Sequence, residues 1–303
     1  MRFLEKPDVK KEPEEVFDIC VASYRVSAKP KNKAEQAKKD KIEALKKCRD
    51  LVRDDSKVYN ESVPHNIKAL QKRCWDGTGI TADDLVEVYE KKLVSSVNGR
   101  KIYDTILQRA ELDVCPICGV SDATTLDHYL PKSIYPILAV TPNNLIPVCT
   151  KCNKNKHDAF ETEPNLAPIH IYFDKPIVDP WLQAEISFNP TTDKELTISF
   201  SAECPPSWDA VLSSRIEKHM KLYGLDVPYK KQAGREVKGK RRAWKSYLKS
   251  GRNILLRELG IVKESEEEND LNSWQSALYR GLIKHIDVLE SWLNSQVVKP
   301  NTT

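Results

Sequence analysis

Apolar residues recur three and four positions apart among charged ones through most of the first third of the chain, 1–112, which predicts helices. The segment 38–53 sets Ile42, Leu45 and Leu51 among lysines and carboxylates, 66–75 reads as a second helix, and 81–94 opens on Thr81-Ala-Asp-Asp, an N-cap followed by first-turn carboxylates. These would pack as a small bundle. In the middle of the chain the pattern shortens: 124–129 and 145–149 read as strands, with Pro131 stopping the first and Tyr135, Pro136 and Pro142 in the loop between them. A helix from Lys151 to about Phe160 follows. Next, Pro164, Pro168, Pro176, Pro180 and Pro190 punctuate β-prone segments at 170–173, 184–188 and 195–200, which predict a small sheet beside the hairpin unit. Helical spacing returns over 207–223, 229–259 and 272–293, where Trp274, Leu278, Leu282, Ile286, Leu289 and Trp292 form a core-facing stripe.

The expected fold is therefore α+β and mostly helical. Its parts are a helical N-terminal region (1–110), a hairpin-and-helix module (111–162), and a C-terminal region of short strands and then long helices (163–303).

At 303 residues the chain can bury a real core in two or three lobes. Its 30% charged and 40% hydrophobic content suits a soluble globular protein, and no uncharged apolar stretch reaches the length of a membrane span. The net charge of +4 argues against a protein that coats nucleic acid indiscriminately, so local clusters matter more. One cluster runs from Lys29 to Lys47 and reads as a solvated helix face or flexible loop, with a DNA-facing edge as the alternative. The other gathers Lys230, Lys231, Arg235, Lys238, Lys240, Arg241, Arg242, Lys245, Lys249 and Arg252 in the 229–259 segment, with Trp244 and Tyr247 among them and only Glu236 opposing before Glu258. It is a candidate nucleic-acid track, with Lys240, Arg241 and Arg242 at its centre. The alternative is a surface helix whose Trp244, Leu248, Ile254 and Leu255 face the core. An acidic run, 264–270, is expected in a loop.

The chemistry concentrates in two CxxC pairs, Cys115-Pro-Ile-Cys118 and Cys149-Thr-Lys-Cys152. Two intervening residues let both thiolates of a knuckle point at one ion, and two knuckles complete a tetrahedral zinc site. Disulfides or a redox pair are the alternatives. Lysine-rich sequence follows Met1 with no signal peptide, so a reducing, cytoplasmic setting is expected. Cys20, Cys48, Cys74 and Cys204 lack partner spacing and read as ordinary thiols. The segment between the pairs, 119–148, is longer than a minimal ribbon needs. It holds Asp127-His128 at the end of the first strand and Asn144 at the start of the second, while Asn153 and His157 follow the second pair.

The strings LDHYLPKS, NNLIPVC and TKCNKNKH resemble the HNH branch of the ββα-metal nucleases, in the form stapled by a four-cysteine zinc. The resemblance covers about a sixth of the chain. It implies that Asp127 and Asn153 hold a catalytic magnesium or manganese, that His128 is the general base, and that Asn144 ties the loop to the strand and orients His128. The third signature position is asparagine here, a variant found within the superfamily. His157 is either a further ligand, a phosphate contact or an exposed helix histidine. Lys132, Lys154 and Lys156 would contact phosphate or solvent.

The strings HIYFD and WLQAEISF more loosely resemble stand-alone HNH proteins of phage-defence operons, such as the HNH subunits of Septu-like systems. By that resemblance a partner ATPase would control the nuclease, and His170 would be structural. A non-catalytic zinc-stabilised adaptor for nucleic acid or protein is the second reading.

Overall fold

The computed structural model describes residues 1–67, 70, 78–159, 163, 166–175 and 177–296. The helix expected at 66–75 lies largely outside them, as do Cys74, Phe160, Pro164 and Pro176. The chain divides into two compact units, one of Arg2–Ile117 with Ser121–Lys175, the other of Pro176–Thr303 with Met1 and Cys118–Val120.

In the first unit, α1 (Pro13–Ala22), α2 (Lys33–Lys47), α3 (Arg49–Ser62), α4 (Ala82–Glu87) and α5 (Val97–Leu107) surround a short hairpin. The expected 38–53 helix is two helices that meet at Cys48. Asn32 caps α2 by accepting from Glu35 N at 2.9 Å, and Thr81 and Asp84 form the capping box of α4. The 81–94 segment is not α-helical throughout: after α4 the turn widens to a π-helix, Val88–Leu93. Such widened turns re-aim side chains and often sit at functional sites.

The hairpin pairs β1 (Thr125–His128) with β2 (Leu145–Val148) antiparallel, Asp127 opposite Ile146 and His128 opposite Leu145. All of β2 is buried. Directly after it comes α6 (Thr150–Lys156), which ends earlier than expected. The segment 170–173 is a turn rather than a strand, because Phe173 N and Asp174 N both donate to His170 O while Asp174 Oδ2 accepts from His170 N. His170 is fully buried: Tyr172 N donates to its Nδ1 at 3.2 Å, so its Nε2–H donates to the Tyr59 hydroxyl at 2.9 Å. That is a structural histidine.

In the second unit, β3 (Leu182–Ser187) and β4 (Thr197–Ala202) form a separate antiparallel pair. Helices α7 (Ala210–Tyr223), α8 (Asp226–Ser250), α9 (Arg252–Asn269), α10 (Trp274–Lys284) and α11 (Ile286–Ser295) complete it. The expected 229–259 helix breaks at Gly251, whose φ of 132° suits glycine alone, and the 272–293 helix breaks at His285. The acidic run 264–270 is not a loop, because Glu264 to Asn269 continue α9. Leu278, Leu282, Ile286, Leu289 and Trp292 are buried, as the core stripe requires, and Trp274 is half-buried. No helix among the described residues is long and apolar enough to cross a membrane.

Candidate active site

The two knuckles fold by different local means. In the first, Cys115 N donates to Ser121 O at 2.8 Å, and Gly119 supplies the positive φ of 62° that closes the turn. In the second, Cys149 is the N-cap of α6, its Sγ accepting from Cys152 N at 3.4 Å. All four cysteines are buried and free of disulfides, and their Sγ atoms lie within 4.8 Å of one another. That set can hold a metal ion.

A cleft of about 400 Å³ opens between the hairpin and α6. Asp127, His128, Asn153 and His157 line it, together with Lys132, Lys154 and Asp158. Strand neighbours face opposite ways, yet His128 closes β1 where the chain turns, and both residues of the dipeptide reach the cleft.

His128 Nε2 lies 2.9 Å from Ala139 O. A carbonyl only accepts, so Nε2 carries the proton and Nδ1 keeps the basic lone pair. The edge of the Tyr89 ring packs on the imidazole, centroids 4.4 Å apart, and this contact comes from the π-helical turn. Burial pushes the His128 pKa down to about 3, so the ring is neutral at any ordinary pH. Asn144 is fully buried: its Oδ1 accepts from Leu130 N at 2.8 Å, and its Nδ2 donates to Leu130 O at 3.1 Å and Leu138 O at 3.3 Å. It thereby clamps both ends of the loop whose Ala139 carbonyl holds His128.

Lys156 is not where the sequence puts it. Its side chain is 1% exposed, Nζ donates to His128 O at 2.6 Å, and it lies 3.5 Å from Asp127 Oδ2. An ammonium enclosed in this way does not reach a phosphate. Burial pushes the Asp127 carboxyl up to about 6 against the opposing pull of Lys156. A buried carboxylate that already has a cation beside it, facing a cleft shared with the Asn153 amide, fits a hard divalent ion that completes its shell with other oxygens.

His157 lies past the end of α6 with φ 47°, so it is not a helix histidine, although it and Asn153 both line the cleft. It is exposed, with Nδ1 3.7 Å from Asp158 Oδ2. Lys132 pairs with Glu90 at 2.5 Å, and Lys154 is exposed at the rim. Elsewhere, Lys240 and Arg242 are exposed on α8, while Arg241 Nη1 donates to Gln296 Oε1 at 3.2 Å. The sequence reading missed Tyr89, Asp158 and the inward turn of Lys156. The last was detectable, since Lys156 lies four residues beyond metal-facing Cys152 and so shares its buried face.

Comparison with known proteins agrees with this geometry. The chain is 32% identical to Protein ea31 of Escherichia phage lambda over 164 residues, 52% of this chain and 53% of that relative. It thus spans about half of the relative's length. No solved structure matches it significantly. The sequence model of the HNH endonuclease family matches residues 115–159, from the first knuckle past the end of α6. Residues 115–159 are therefore an HNH endonuclease domain.

Proposed function

We propose that the protein is a metal-dependent endonuclease that hydrolyses phosphodiester bonds of DNA, leaving a 5′ phosphate and a 3′ hydroxyl. The observation that carries this reading is the shared cleft, in which Asp127, Asn153 and a neutral His128 with a free Nδ1 stand together inside the HNH domain. Asp127 and Asn153 would hold magnesium or manganese. That ion would supply Lewis acidity, lowering the pKa of the attacking water and offsetting charge at the scissile phosphate. His128 Nδ1 takes the proton of that water. Burial makes His128 a weak base, and Nδ1 is the ring nitrogen left to accept a proton from water. Asn144 and the Ala139 carbonyl keep the ring aimed, and Lys156 holds Asp127 and the end of β1 in place. Lys132 and Lys154 meet the phosphates flanking the cut, and His157 joins them as a phosphate contact.

Four buried thiolates whose Sγ atoms lie within 4.8 Å of one another are soft ligands, so the ion they would hold is zinc, with a structural role. The protein acts in the cytoplasm, in anti-phage defence, under the control of a partner ATPase. This part of the reading is supported by the looser likeness of HIYFD and WLQAEISF to HNH proteins of defence operons. The phage origin of the relative, matched over about half its length, favours a second reading, in which such a nuclease serves a phage. Purified chain given supercoiled plasmid and magnesium or manganese is expected to yield nicked circles. A chain that binds nucleic acid but cuts none, with or without candidate partners, is the non-catalytic adaptor instead.

A further inference from the structure

Viewed along its axis, α8 separates its side chains sharply. Tyr229, Ala233, Val237 and Trp244 are buried on one side. On the opposite side Lys231, Arg235, Lys238, Arg242 and Lys249 follow at steps of four, three, four and seven residues, the spacing that keeps side chains in one line along a helix. All five are exposed, and none makes an ion pair among the described residues. The basic residues off this line are mostly engaged: Lys230 with Asp226 at 2.7 Å, and Arg241 and Lys245 with Gln296. Beyond Asp226 in the first turn, the helix holds one acid, Glu236, which lies off the line and accepts from the Tyr279 hydroxyl at 2.7 Å. Five unopposed cations thus stand along about 27 Å of helix.

A second feature accompanies the line. Gly234 and Gly239 are interior helix residues, and a Cβ at either would meet nothing within 4 Å. Glycine weakens a helix interior, and no neighbour among the described residues requires it here. Gly239, Ala243, Ser246 and Ser250, all exposed, run as a small-residue margin beside the cations. A surface lying close against the backbone of α8 would account for both features.

We infer that this face of α8 docks on the phosphate backbone of duplex DNA, with Lys231, Arg235, Lys238, Arg242 and Lys249 as the contacts and the small-residue margin admitting a phosphate strand close to the helix. The inference takes its nucleic-acid partner from the proposed nuclease reading. It narrows the cluster expected from the sequence: Lys240 and Arg241 lie off the docking face, and Lys231, Arg235, Lys238, Arg242 and Lys249 lie on it.

The test is fluorescence anisotropy of the full chain with a labelled DNA duplex across a salt series, without added divalent cation so that nothing is cut. Each phosphate contact removed lowers the slope of log K against log salt by about 0.9. Replacing Lys231, Arg235, Lys238 and Arg242 together by glutamine should lower the slope by about 3 to 4 and weaken binding at least about 100-fold at low salt. Lys238→Gln and Lys240→Gln are exposed single changes two residues apart, and only the first should move the slope. Gly239→Leu should raise the melting temperature while weakening binding. Equal slopes for parent and fourfold variant, or for Lys238→Gln and Lys240→Gln, overturn the inference and leave an acidic protein surface as the partner. Slope loss in a chain that never cuts plasmid keeps the docking face and defeats the nuclease reading. Cutting with an unchanged slope does the reverse.

Discussion

Lys156 Nζ stands 3.5 Å from Asp127 Oδ2 and donates at 2.6 Å to the backbone carbonyl of His128, so one buried cation holds both residues of the dipeptide on which the proposed chemistry depends. Removing one member of a buried pair leaves the other uncompensated, at a cost of about 3 kcal/mol or more. Lys156→Met keeps the stem and removes the charge. It should melt well below the parent, with part of the loss restored by magnesium, because a divalent ion can replace the missing charge beside Asp127. Calorimetry with and without magnesium checks this. A variant that melts like the parent would make the pair incidental.

Acid should abolish activity through Asp127 and not through His128. The Asp127 carboxyl is held at about 6 by burial, above its ordinary value, so as pH falls through 6 it gains a proton and can no longer bind a cation. His128 is already neutral across that range and stays so down to about 3. Metal and proton compete for one carboxylate, so tenfold more magnesium should move the acid limb of the rate profile about one pH unit lower. An acid limb that ignores magnesium concentration would assign it to another group.

The Asn144 side chain spans three backbone groups of the loop that presents Ala139 O to His128. Asn144→Ala leaves the buried Leu130 N–H and Leu130 carbonyl unpaired, which should cost about 2 to 3 kcal/mol, while Leu138 O keeps its bond from Thr141 N. Cleavage measured well below the variant's melting temperature should still be slow, because the imidazole has lost its fixed orientation. Full activity at low temperature would reduce Asn144 to a purely structural role.

Zinc removal should unfold the motif. Binding to four thiolates supplies folding free energy directly, so Cys118→Ser or Cys149→Ser should lose both the cooperative melt and the proposed zinc, the latter assayed by elemental analysis. Retention of the parent melting temperature would mean that the knuckles stand without an ion.

The site was legible in the sequence to the extent that its chemistry is carried by spacing. The paired cysteines set two knuckles, and residues at the end of β1 and in α6 then line one cleft, while Asn144, just before β2, is buried and bonds the loop backbone. What stayed hidden depends on tertiary context. Apolar periodicity runs on through Cys48, Gly251 and His285, so three helix breaks left no trace in the pattern. The HIYFD segment has β-prone composition, but the Asp174 carboxylate captures the His170 N–H and closes a turn. The inward turn of Lys156 and the edge contact of Tyr89 on His128 depend on where α6 and the π-helical turn pack.

The central claim is that His128 Nδ1 takes the proton of the attacking water. It is tested most directly by comparing wild type and His128→Ala on supercoiled plasmid with magnesium or manganese, with zinc content measured in both. The account predicts nicking by the wild type and a loss of at least about 100-fold in the variant, within the range of general-base contributions, at equal zinc content. Equal nicking by two folded, zinc-loaded proteins would contradict it.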